Sequence, residues 1–586
     1  MTLSKPKIVL DVDKVTTDFN NHIKNHPSGG EVSPELVEQK VVEVISKPDS
    51  PVATKEEIKK MDSITINALH PPANLQALHT DGVSDNTKLL SNIISYITTN
   101  YNSGTIYIPY IEKDYIFDIG DIIIPSNIRI YGSNSKLKLM PNAQIKNFFL
   151  IKNQTNVSIE NFQFIGTDSK HIAVHIQDAC VGIHVVNCTC DGVGYLVKTD
   201  SRINTQLSQN IYISKSNTIN TIMPCYFSSA TNIYVDKCNF IRNDTNKLNH
   251  QFYINSYTSN IYINECVLEG GHGRAIDVKD DLNTLESAPK NINVTNTLAK
   301  KCDSFIVTEH YAEANVSNCI CELDTSLPEG IAFACFGNSK LTVDNCKVLL
   351  AKVFAGGISN GQGHISISNT LVYDITLQNI RENFKSITLN QNTFNEATKG
   401  GFCIWNVNAH GAETVHIANC TFNFKTVQNT NDLFKFDQGS VLFDNCTFNF
   451  NIVPKYNFVF NAINSSNVIL NDCNINTSLD KIQFNKSNNM KIINCYNGIK
   501  DYYINTSEEL ITKYSQGTPI GVFQAPIGSD FIDITNGTKY IKVNNKNTDW
   551  SKMSTADDII TLKSPNNTKY QLSVADDGTL SATLVQ

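Results

Sequence analysis

NIYISKSNTI (210–219), NIYVDKCNFI (232–241), NIYINECVLE (260–269), KLTVDNCKVL (340–349), TVHIANCTFNF (414–424) and SVLFDNCTFNF (440–450) share one pattern. Apolar and polar residues alternate, an Asn or charged residue precedes a Cys, and the alternation then resumes. A period of two marks a strand with one buried face. Aligned on the Cys, the chain yields a column: Phe162, Cys188, Ser216, Cys238, Cys266, Thr297, Cys319, Cys346, Thr370, Asn392, Cys420, Cys446, Cys473 and Cys495. Successive members are on average about 26 residues apart. A strand pattern at a period in the twenties predicts coils stacked about 4.8 Å apart, a β-solenoid. Leucine-rich repeats share the period, but their LxxLxL frame is missing.

The column explains nine of the 16 cysteines. In an inward stack Cys packs as a small hydrophobe, and Ser or Thr fits the same slot. Stacked side chains run parallel rather than at one another, which disfavours disulfides. Cys188/Cys190 and Cys319/Cys321 are i, i+2 pairs and CxxC is absent, so zinc is not expected. The asparagines before the column (Asn187, Asn318, Asn345, Asn419, Asn445, Asn494) fall where the chain must turn, and stacked amides can bond rung to rung.

Composition narrows the classes. The 586 residues are 41% hydrophobic and only 18% charged, with a formal charge of -8. The apolar share supports a large core, and the acidic balance excludes a general nucleic-acid binder. No apolar run approaches the ~18 residues of a membrane span. The first thirty residues lack a basic start and an apolar signal core. The expectation is cytoplasmic synthesis, with no membrane insertion and another route to any extracellular role.

Four regions are expected. Residues 1–70 are Lys/Glu-rich and Pro-punctuated and read as an attachment region, with short helices near 34–46 and 54–61. Residues 71–135 open the solenoid. Asp85 is the expected N-cap of a helix whose Leu89, Leu90, Ile93, Ile94 and Ile97 form one apolar face and cover the first rung. Residues 136–504 are the coils. Residues 505–586 break the repeat, with hairpin signals at NGT, NNKN and Asp576-Asp577-Gly578, and read as a β module for trimerisation or glycan binding; Tyr540 and Trp550 there could face sugar, but read first as hairpin core or trimer contact.

The run His79-Thr80-Asp81-Gly82-Val83-Ser84-Asp85-Asn86-Thr87, a helix, and then Gly104-Thr105-Ile106-Tyr107-Ile108-Pro109 resembles the opening of pectate-lyase-like β-helix proteins. With the coils, the resemblance spans about residues 73–500. It implies an all-β chain: a right-handed single-stranded parallel β-helix with a short helical attachment region and a small C-terminal β module. The group includes polysaccharide lyases and hydrolases and phage tail spikes and appendages. A separate head, no signal and a β tail suit the phage type. That type implies a homotrimer in the virion tail, docked on other tail proteins through its N-terminal region. Such a protein is made in the host cytoplasm and released by lysis, and it binds a host cell-surface glycan or teichoic acid. The Asn, Ile, Lys and Tyr bias suits a low-GC Gram-positive host.

Glycan cleavage needs paired carboxylates, or a base beside a cation. Aligning HQFYINS (250–256), RAIDVKD (274–280) and SFIVTEH (304–310) turns Phe252, Ile254, Ile276, Val278, Ile306 and Thr308 inward. Tyr253, Asn255, Asp277, Lys279, Val307 and Glu309 then face outward. Asp277 and Glu309 become diagonal neighbours about 7–8 Å apart. The preceding turn, Gly270-Gly271-His272-Gly273, exposes a His; its GHG resembles one motif of polygalacturonases, whose preceding Asp-containing motifs are not present in order. The expected catalytic residues are Asp277, Glu309, Lys279 and His272, with Arg274, Tyr253, Asn255 and His310 binding substrate. The bond broken stays open among glycoside hydrolysis, lyase elimination and teichoic acid phosphodiester cleavage. A non-enzymatic virion adhesin and a cellular pectate-lyase-like enzyme are the rivals. No cofactor or metal is expected, although Asp277, Asp280 and Asp281 form a set of oxygen ligands that would suit Ca²⁺.

Overall fold

A computed structural model of the chain describes most of residues 63–584; residues 1–62 and short segments, mainly beyond residue 397, lie outside the described set. The attachment region and its two expected helices fall there. The chain divides into two compact units, one running through Cys225 and including Ser229–Tyr234, the other comprising Tyr226–Ser228 and the chain from Val235.

Both units are built from parallel strands whose partners lie one repeat away. In the second unit Ile261 pairs with Ile292, and Ile292 with Ala314. Leu268 pairs with Ala299, and Ala299 with Cys321. On the third strand Phe252, Ile276, Ile306 and Phe333 follow one another and are fully buried. Three strands per coil, each stacked on its equivalent, make a parallel β-helix. Its crossovers take the right-handed sense of nearly all such connections. Residues assigned inward from sequence in the 250–256, 274–280 and 304–310 segments pair with one another, as do those assigned outward; Val307, assigned outward, is instead fully buried in an apolar cluster with Ile331, Ala334 and Val353.

The column behaves as its residue types dictate. Cys266, Cys319, Cys420, Cys446 and Cys473 are each 1% exposed. The Cys446 thiol donates to the Ile417 and Asp444 carbonyls. Thr297 answers the same need through Oγ1 to the Thr295 carbonyl at 2.9 Å, which is why a hydroxyl is tolerated in the slot. Burial pushes the Cys188 and Cys302 thiols up to about 12.

Each bend precedes the column. Asn187, Asn318, Asn345, Asn419 and Asn445 all have φ between 49 and 55, the left-handed region that Asn tolerates best among residues with a Cβ. Their amides bond along the stack: Asn345 Nδ2 donates to Asn318 Oδ1 at 2.6 Å and Asn445 Nδ2 to Asn419 Oδ1 at 2.7 Å. Lys215, Lys237 and Glu265 adopt the same bend at φ 52, 54 and 50 without an amide. Asn494 lies outside the described residues.

In the first unit a helix, α1 (Thr87–Asn100), buries Leu89, Leu90, Ile93, Ile94 and Ile97 as expected. A Cβ on Gly104 would stand 2.7 Å from Ile97 Cγ2, so the helix needs a glycine in the strand beneath it. Two expectations are corrected. The residue at the N-cap is Asn86, whose side chain is engaged by the His79 backbone; Asp85 caps from one position earlier, its Oδ1 accepting from Thr87 N and Oγ1. The parallel pairing also starts earlier, because Ser63–Asn67 is already a strand against Ser103–Ile108.

Parallel pairing continues to Asp530–Asp533, after which antiparallel hairpins join that strand to Thr538–Lys542 and Trp550–Lys552. Trp550 is buried against Phe531 beneath Lys542, which makes it hairpin core. A separate three-stranded antiparallel sheet ends the chain.

Candidate functional site

The site lies on the outward side of the third strands of the second unit. Register sets the floor: Tyr253 opposes Asp277, Asp277 opposes Val307, and Lys279 opposes Glu309. Arg274, at the start of its strand, organises the rest. Its Nη1 donates to Asp277 Oδ1 at 2.9 Å and to Glu309 Oε1, and its Nε lies 3.6 Å from Glu329 Oε2. The guanidinium rests over the Phe336 ring. Arg274, Glu309, His310, Glu329, Phe336 and Arg381 line a cleft of about 460 Å³.

The expected diagonal spacing is corrected. Asp277 and Glu309 bond the same nitrogen, so their oxygens lie within roughly 6 Å, two hydrogen-bond lengths. The cation between them draws them together. Asp277 is also not an open outward group: its side chain is 3% exposed, against 15% for Glu309 and 40% for Glu329. Its second oxygen lies 3.2 Å from His250 Nε2. His250 Nδ1 accepts the Arg274 N–H, which leaves the ring proton on Nε2, facing Asp277. Burial, then the nearby Glu309 charge, raise Asp277 to about 6, even with Arg274 opposing. Burial and the surrounding cations lower His250 to about 3, so that ring is a neutral donor.

The remaining predicted residues divide. Lys279 Nζ bridges Glu309 and Asp281 at 3.8 and 3.6 Å. His310 lines the cleft, held at φ 61 by Nδ1 donating to the Asp280 carbonyl at 2.6 Å. Arg274 is 16% exposed, and its Nη1 is given to Asp277 and Glu309. Asn255 is buried, its Nδ2 given to Asp281 and Tyr226, and Tyr253 donates to Asp281 while stacked between Tyr226 and His250. These two brace the wall. His272 is not brought into the cleft. Its turn is shaped by Arg242, whose guanidinium carbon lies 2.9 Å from where a Cβ on Gly271 would be.

The calcium set is dispersed. Asp277 turns to Arg274 and His250, Asp281 to Tyr253 and Asn255, and buried Asp280 accepts from Ser256, Ser287 and Thr284. Among the described residues no group of three or more His, Cys, Asp or Glu is arranged to hold a metal.

Sequence reasoning missed Glu329, Phe336, Arg381 and His250. Asp303 fixes Glu329 by accepting the Glu329 and Gly330 N–H groups at 2.9 and 3.0 Å. Gly330, at φ 60 and with a would-be Cβ 2.4 Å from Lys352 Cβ, makes the turn glycine-dependent. The Pro-Glu-Gly run at 328–330 was the available signal.

No protein-family model matches the chain, and no curated protein does. Solved structures resemble it in chain course. A mutant tailspike protein of E. coli bacteriophage HK620, in complex with a pentasaccharide, is 15% identical at TM-score 0.42, covering 82% of this chain and 86% of its own. The N-terminal fragment of bacteriophage Phi29 gene product 12 is 11% identical at TM-score 0.49, covering 82% and 95%. The A-module of the Azotobacter vinelandii mannuronan C-5 epimerase AlgE6 is 10% identical at TM-score 0.36, covering 74% and 99%. This chain is similar to all three in its parallel β-helix, and the likeness is one of backbone course alone.

Proposed function

We propose that this chain is a bacteriophage tail spike or tail appendage that binds a host cell-surface polysaccharide or wall teichoic acid and depolymerises it. The observation that carries the reading is the Arg274 cleft: two reachable carboxylates, Glu309 and Glu329, on one guanidinium, with His310 and Arg381 beside them. Two carboxylates around a scissile bond supply a proton donor and a base or nucleophile. Arg274 and Arg381 supply positive charge for an anionic chain or for charge that develops in the transition state. Asp277 and His250 are positioning residues that hold Arg274, and Lys279 steadies Glu309. A homotrimer docked by its N-terminal region would multiply weak contacts into avidity, and host lysis would release it as part of the virion.

The test is incubation of purified protein with wall polysaccharides and teichoic acids, reading shorter chains, new reducing ends or new phosphomonoesters, with Glu309→Gln and Glu329→Gln alongside. Cutting that both variants retain in full would discard the site. A binding-only role has one feature in its favour: three carboxylates already surround Arg274. Tight glycan binding with no cleavage would select it.

A further inference from the structure

The first unit carries a second amide column at the beginnings of its strands. Asn127, Asn156, Gly182, Asn210 and Asn232 follow one another at φ 62, 55, 71, 56 and 56. Register places Gly182 between Asn156 and Asn210: Val181 pairs with Thr155 and Gln209, and Ile183 with Val157 and Ile211. The amides bond along the column on both sides of the glycine. Asn156 Nδ2 donates to Asn127 Oδ1 at 3.1 Å, and Asn232 Nδ2 donates to Asn210 Oδ1 at 3.2 Å.

One amide is therefore missing from an otherwise regular ladder. Because Asn156 spends its Nδ2 on Asn127, its Oδ1 turns to the gap and stands 3.1 Å from where a Cβ on Gly182 would be. Asn210 accepts on Oδ1, and the same ladder geometry would aim its Nδ2 at the gap from the other side. Coils are about 4.8 Å apart, so the gap presents an acceptor and a donor about two rungs apart. A secondary amide fits between them, since its N–H and C=O point in opposite directions. The backbone does not require the glycine, because the same bend holds Asn at the four neighbouring rungs.

The gap opens on a cleft of about 320 Å³ lined by Arg129, Ser158, Gly182 and His184. Ser158 is the small residue between Arg129 and His184 in their outward column. The His184 ring stacks on Tyr212 at 4.6 Å, and Tyr212 on Tyr234 at 5.0 Å. An aromatic face beside paired amide donors and acceptors is the chemistry that recognises an N-acetylated sugar.

We infer that Gly182 marks a binding site for a 2-acetamido sugar residue, whose acetamido group completes the Asn156–Asn210 amide ladder while its ring lies against His184. The site is separate from the Arg274 cleft, and its success or failure does not depend on cleavage there.

The test is saturation-transfer NMR on the full-length protein with N-acetylglucosamine, N-acetylgalactosamine and N-acetylmannosamine, against glucose, galactose and mannose. At least one amino sugar should receive saturation, strongest on its acetyl methyl group, and the plain hexoses should receive at least fivefold less. Gly182→Asn refills the ladder and should abolish that signal without lowering Tm. Asn156→Ala, at an exposed position, should weaken it at least fivefold. Silence from all three amino sugars, equal signals from amino sugars and hexoses, or an undiminished signal in folded Gly182→Asn would overturn the inference. If Gly182→Asn does not fold, Asn156→Ala decides.

Discussion

Asp277 sits where burial opposes ionisation and Arg274 favours it, and burial prevails, since the carboxyl titrates near 6 rather than at 3.8. For an acid whose folded value is raised, the folded state binds the extra proton between those two values. Its contribution is therefore most favourable below about 4 and declines as pH rises through about 6, by roughly 2–3 kcal/mol. Asp277→Asn removes that titration. Thermal melts of both proteins from pH 4 to 7 should show the wild type losing more stability than the variant over this window; parallel curves would contradict the assignment. Glu329→Gln tests the neighbouring carboxylate. It is 40% exposed, so the fold should tolerate the change, while turnover of a cleaved glycan should fall by about 10²-fold or more. An unchanged rate would return Glu329 to the status of a surface ion pair.

At the scale of the element, the strand, bend and column repeat every coil, and this made them legible. Cys446 announces its slot because Cys420 and Cys473 occupy the same one, and Asn345 announces its bend because Asn318 does. Residues supplied by non-repeating segments were hidden. Glu329 comes from a connection of irregular length, and Arg381 from the end of a strand whose partner shifts register between Ala351 and Val353. Counting in twos from sequence fails across such a shift. Asp277 was placed on the correct side of its strand, but alternation alone could not show that Arg274, His250 and Tyr253 would cover it. The repeat also predicts which substitutions are tolerated. Cys266→Thr should cost less than about 1.5 kcal/mol, because Thr297 already fills the adjacent slot, whereas Cys266→Leu should cost about 1–3 kcal/mol through overpacking. Lys237→Asn places the better left-handed residue at φ 54 and should stabilise by about 0.5–1 kcal/mol. Chemical denaturation measures all three; a stable Leu variant or a destabilised Asn variant would contradict the packing described.

For the molecule as a whole, the coil keeps its thiols dry. All 15 described cysteines are free and buried, and burial raises thiols such as Cys188 and Cys302 to about 12. Thiolate is the reactive form, so these 15 thiols should resist an alkylating reagent in the native protein at neutral pH and label only after unfolding. Their rapid labelling in the folded chain would contradict a continuous inward column.

The functional account is tested most directly by one assay. Wild type and Glu309→Gln are incubated with purified wall polysaccharides and teichoic acids of low-GC Gram-positive bacteria, and chain length and new ends are followed. The account predicts that the wild type shortens one of these polymers while the variant, still folded and still bound to it, cuts at least a hundredfold more slowly. Equal cutting by both proteins would contradict it.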